Sequence, residues 1–136
     1  MNILIDVNHP AQVHYFRNLY KELSLEHNIY FSCKKVPIIE KLLSAYNIPY
    51  MSYGEKKDNI LSKVFYQLKY DFECYKKMKN LEIDIALGSS ASNVHAAKFT
   101  KATSIATTDS DLSAIPIAAK FVYPFADYLM MPDTLA

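Results

Sequence analysis

The 136-residue chain is predicted to be a single α/β domain built on a parallel sheet. Three observations lead there. Six short apolar runs alternate with stretches of helical period. Several of those runs are solidly apolar, as in strands covered on both faces. The connections between them are long enough to hold a helix, so successive strands are joined by crossovers and run parallel.

The expected strands are Asn2 to Val7, Asn28 to Cys33, Tyr50 to Tyr53, Asp84 to Leu87, Thr103 to Ala106 and Tyr128 to Met131. A first helix places Val13, Phe16, Tyr20 and Leu23 on one face, with Pro10 near its start, where a missing N–H costs nothing. Pro37 opens a second helix whose face is Ile38, Ile39, Leu42, Leu43 and Tyr46, and Asn47 is a left-handed stop before Ile48-Pro49. The longest helix spans 59–81, with Leu61, Val64, Phe65, Leu68, Phe72 and Tyr75 expected inward. A shorter one follows near Ser92 to Thr100, and Pro116 leaves the segment Leu112 to Phe121 undecided. Right-handed crossovers then give a three-layer, doubly wound sheet of Rossmann type, order 3-2-1-4-5 with a sixth strand beyond.

Composition removes several function classes. With 51% hydrophobic and 21% charged residues the chain builds a proper core. A net charge of +1 gives no electrostatic case for nucleic acid. Asp6 interrupts the apolar start, so neither a signal peptide nor a spanning helix is expected, and a cytoplasmic location follows. Cys33 and Cys74 have neither the number nor the spacing of a disulfide framework or zinc site. The chain has two glycines, Gly54 and Gly88, and neither stands in G-x-G-x-x-G or a P-loop.

In an open parallel sheet, ligands bind beyond the carboxyl ends of the strands where the order reverses, here between strands 1 and 4. Three polar segments meet there: Asn8 to His14, Gly88 to His95 and Thr107 to Asp111. They hold three of the four histidines. His9 or His14 is a candidate general base toward a sugar hydroxyl; the alternative is that one caps the first helix and the other packs beneath it. Asn8, Gly88, Ser89, Ser90, Asn93 and Asp109 are candidate substrate contacts, with helix capping as the alternative for the serines. His95 is a weaker candidate, because packing accounts for a histidine within a helix. Five residues separate His9 from His14, not the four of a helical zinc pair, so no metal is expected and no cofactor either. The 59–81 helix carries five lysines against Asp71 and Glu73, a charge of +3, interleaved with Tyr66 and Tyr70. A peripheral membrane contact suits that mixture; a solvated face with snorkelling lysines is the plainer reading.

The stretches "ILIDVNHPAQVHYFRNL", "DIALGSSASNVHAAKF" and "YPFADYLMMPD" resemble the family catalogued as domain of unknown function 354, N-H-P-x-x-V-H being the most specific part. That family is similar to the GT-B superfamily of glycosyltransferases and UDP-N-acetylglucosamine 2-epimerases. The resemblance implies two Rossmann-like domains across a cleft, the first holding the acceptor and the second the nucleotide sugar. Residues 1–136 are then the acceptor-side domain, inactive alone, and the nucleotide-sugar domain lies outside this chain. Implied partners are a nucleotide sugar and a sugar or lipid-linked acceptor, with an oligomer through the uncovered cleft face as a further expectation. His14 falls where several GT-B transferases place a loop histidine, and Gly88-Ser89-Ser90 where they have a second glycine-rich turn. The chain lacks most of those glycines, and Ser89 and Ser90 stand where the epimerases carry an Asp.

Two other classes compete. A stand-alone binding module predicts a polar cleft rim, whereas a missing domain leaves an apolar contact surface bare. A dehydrogenase or methyltransferase is disfavoured by the absent glycine fingerprint and by Cys33-Lys34-Lys35 where a ribose-binding acid belongs.

Overall fold

The computed structural model describes residues 1–54 and 60–133, with only the backbone of Ile60 and Leu112. Its six strands are β1 (Asn2–Val7), β2 (Asn28–Lys34), β3 (Tyr50–Tyr53), β4 (Ile85–Gly88), β5 (Thr103–Thr107) and β6 (Tyr128–Met130). They form one parallel sheet in the order β3-β2-β1-β4-β5-β6, so the order reverses between β1 and β4 as expected. The helices are α1 (Pro10–Leu23), α2 (Pro37–Ala45), α3 (Ile60–Asn80), α4 (Ala91–Ala97) and α5 (Pro116–Phe121). Pro116 opens α5 rather than breaking it, which settles the undecided segment. The expected first residue of the long helix, Asn59, lies outside the described residues. Asn47 takes the left-handed conformation with φ 56°.

Alternation along β1 sorts the core. Ile3, Ile5 and Val7 pack with Val13 and Phe16 of α1 and Ile39 and Leu43 of α2. Leu4 faces the other way, onto Cys74 and Met78 of α3 and Ala96 and Ala97 of α4. Ile38 of α2, expected inward, is exposed.

The inner face of α3 is the larger correction. Tyr70, Cys74 and Met78, spaced i, i+4, i+8, are buried, while Leu61, Val64, Phe65, Leu68 and Phe72 are exposed. The reason is geometric. Twenty-one helical residues span about 31 Å, longer than any strand of this sheet. The carbonyl of Leu81, one residue past α3, accepts from the Asn2 side chain at the amino end of β1 (3.0 Å). Tyr70 packs edge-on against Tyr53, the last residue of β3, with ring centroids 5.8 Å apart. Residues before Gln67 therefore project about 10 Å past the carboxyl edge of the sheet. Leu61, Val64 and Phe65 thus have no sheet beneath them, while Leu68 and Phe72 lie on the side of the helix turned away from the buried Tyr70, Cys74 and Met78.

Candidate functional site

A cleft of about 530 Å³ opens beyond the carboxyl ends of β1, β4, β5 and β6. Gln12, Tyr15 and Phe16 of α1 form one wall, and Ile115, Ala118 and Tyr123 the other. Ser89 and the run Thr107 to Ser110 bring hydroxyls and the Asp109 carboxylate to its edge. Most of the lining is apolar, and no Lys, Arg or His belongs to it among the described residues.

The start of α1 is tied down by its own side chains. His9 is the N-cap, and its Nδ1 accepts from the Ala11 amide at 3.2 Å. Gln12 Oε1 accepts from the Asn8 amide at 2.8 Å, which turns its Nε2 toward Ser89 Oγ, to which it donates. Ser89 Oγ thus receives a hydrogen bond from Gln12 and keeps its own proton to offer into the cleft. Gln12 stands at N3 of the helix, the position from which a Gln reaches back in a capping box. That signal was present in the sequence, inside a segment from which only other residues were singled out.

Asp6, near the carboxyl end of β1, is fully buried. Its Oδ1 accepts from Ser32 Oγ at 2.6 Å and Tyr53 OH at 2.8 Å, while Oδ2 has no partner among the described residues. Burial pushes its carboxyl above the ordinary 3.8, against the opposing pull of the Ser32, Ser90 and Tyr53 hydroxyls and Lys34. Gly88, the register partner of Asp6, has φ 146°. A Cβ there would fall well inside contact distance of the Asp6 carbonyl oxygen. This glycine serves strand packing.

Of the expected site residues, the structure brings Ser89 and Asp109 into the cleft. His9 is exposed beside it, and Asn8 lies at the α1 entry with its side-chain Oδ1 buried and unpaired among the described residues. Ser90 is buried at the N-cap of α4 near Asp6. Asn93, within α4, is buried, with its Oδ1 4.0 Å from Cys74 Sγ of α3. His14 is on the opposite side of α1 from the cleft, with Nδ1 2.7 Å from Tyr46 OH. His95 ties α4 to two neighbours: Nδ1 lies 3.3 Å from Asp71 Oδ2 of α3, and Nε2 2.9 Å from the Phe121 carbonyl of α5. Tyr15, Tyr123 and Met130 line the cleft without having been singled out.

Among the described residues no His, Cys, Asp and Glu cluster suits a metal, and no helix is long and apolar enough to cross a membrane.

The fold is shared with solved structures. A UDP-N-acetylglucosamine 2-epimerase from Methanocaldococcus jannaschii superposes with a TM-score of 0.70 at 12% identity, over 99% of this chain and 40% of that one. The Staphylococcus aureus MnaA–UDP co-structure gives 0.67 at 14% identity, over 96% and 37%. A glycosyltransferase from Rickettsia africae gives 0.60 at 16% identity, over 90% and 34%. The chain thus has the fold of one half of GT-B proteins and spans about two fifths of their length or less. No family model matches it, so membership of domain of unknown function 354 is not shown, and no curated protein matches either.

Proposed function

We propose that this domain is the acceptor-side half of a GT-B-like sugar-transferring enzyme, working with a nucleotide sugar held by a second domain. The observation that carries this reading is the composition of the cleft. Apolar walls with Tyr15 and Met130 exposed along them are what a removed facing domain leaves bare. Hydroxyls of Ser89, Thr107 and Thr108 suit a neutral sugar, while among the described residues no lining cation gives a diphosphate a counter-charge. Holding the diphosphate then falls to the other half, and this half positions the attacking hydroxyl.

The histidines take different parts in this reading. With Nδ1 accepting from Ala11, the neutral His9 ring carries its proton on Nε2. In that pose His9 donates to a ligand oxygen. It acts as a base only after releasing the cap. His14 needs to leave Tyr46 before it can serve as one.

A second reading, half of a nucleotide-sugar 2-epimerase, is favoured by the higher overlap with the Methanocaldococcus jannaschii epimerase, TM-score 0.70, than with the Rickettsia africae transferase, 0.60. Titration of the isotope-labelled chain with neutral glycosides, and separately with UDP, tests the acceptor-side proposal. Glycosides should shift the amides of Ser89, Thr108 and Asp109, and Ser89→Ala should weaken the effect. Tight UDP binding at the same amides would overturn it.

A further inference from the structure

We infer that the outward face of α3 docks on an anionic lipid surface. Val64, Phe65, Leu68 and Phe72 are 59–67% exposed along the pole of the helix opposite Tyr70, Cys74 and Met78. Together they present roughly 400 Å² of apolar side chain, as much as the largest patch on an ordinary monomer. Lysines frame it. Lys69 Nζ lies 6.0 Å from the centroid of the Tyr66 ring, Lys76 Nζ 5.5 Å from Phe72, and Lys79 Nζ 5.9 Å from Tyr75. Apolar residues for the acyl boundary with lysines for the headgroups is the pattern of a helix lying in a membrane interface.

Charge and area decide between this surface and a second copy of the chain. The acids of α3 are Asp71 and Glu73, and Asp71 already engages Gln67 (2.8 Å) and His95. The five lysines of α3 outnumber its two acids, so two copies paired through this face would bring an excess of positive charge together. The patch is also about half of the ~800 Å² per partner that a stable protein interface uses. An anionic bilayer answers both points, since each lysine near such a surface adds to binding and a few inserted side chains suffice. The projecting first third of α3 rises past the carboxyl edge of the sheet, the same edge at which the cleft opens, so docking sets the cleft beside the bilayer.

Co-sedimentation with vesicles tests this without any sugar ligand, so its outcome is independent of the cleft reading. The chain should sediment with phosphatidylcholine vesicles containing phosphatidylglycerol and should be released by salt. Lys69→Gln with Lys76→Gln, both solvent-facing, should weaken binding about 30-fold. Phe65→Ser with Leu68→Ser should abolish it while circular dichroism stays native. The inference is overturned if the wild-type chain remains in the supernatant, or if the lysine variant binds as well as wild type. It is equally overturned if the chain forms a dimer that Leu68→Ser dissolves.

Discussion

Gly88→Ala puts the reading of the strand junction at risk most directly. At φ 146° an L side chain is strained, at roughly 1–3 kcal/mol. The new Cβ also meets backbone: the Asp6 carbonyl oxygen well inside contact, and Asp6 C and N at 3.4 Å. Asp6 belongs to a strand paired on both sides, so it cannot swing away as a side chain would. Forced repacking of that kind costs roughly 1–3 kcal/mol more. The expected loss is about 4 kcal/mol, which lowers the melting temperature of a domain this size by about 15 °C. Thermal unfolding followed by far-ultraviolet circular dichroism reads it directly. A fall of under about 3 °C would show that β1 and β4 separate cheaply here, and the packing role of Gly88 would be withdrawn.

Asp6→Asn should become increasingly stabilising relative to wild type as pH rises. The folded carboxyl sits above its ordinary 3.8, so its contribution is complete below that value and lost as pH rises through the folded one. Urea titrations at about pH 4 and pH 7 measure the difference, and a pH-independent gap would refute it. Cys33 and Cys74 are buried; burial, the main cause, pushes the Cys33 thiol up to about 12 and raises Cys74 as well. Both should resist a thiol reagent such as DTNB until the protein unfolds, and rapid labelling of native protein would contradict the packing. Tyr53→Phe removes one of the two hydrogen bonds to Asp6 Oδ1 and should cost about 1–3 kcal/mol by urea denaturation. His95→Ala should release α5 from α4 and speed limited proteolysis at 115–122, and an unchanged digestion rate would show that this histidine holds nothing.

The sheet could be read from the chain because each strand is a short apolar run set off by stretches of helical period, the first two of them opened by Pro10 and Pro37. The outward stripe of α3 could not. Periodicity finds apolar stripes and assigns the stronger one inward, on the premise that the other face meets water. Here the stronger stripe, Val64 to Phe72, faces out, and the modest set Tyr70, Cys74 and Met78 does the packing. The rim loops were legible because sheet topology fixes where strand ends meet. Side-chain direction was not. His14 and Tyr15 are neighbours in sequence, yet Tyr15 lines the cleft and His14 turns toward Tyr46.

One wall of the cleft rests on little. α5 has no buried residue, yet Ile115 and Ala118 at this helix help to form that wall. Held chiefly by Ala118 packing and the His95 bond to Phe121, such an element is expected to open at small free-energy cost, which would place the cleft in equilibrium between set and loosened states. A ligand that needs the set wall binds with an apparent affinity reduced by the fraction of molecules holding it. Anything that presses α5 into place, such as a facing domain, then raises affinity without touching the ligand.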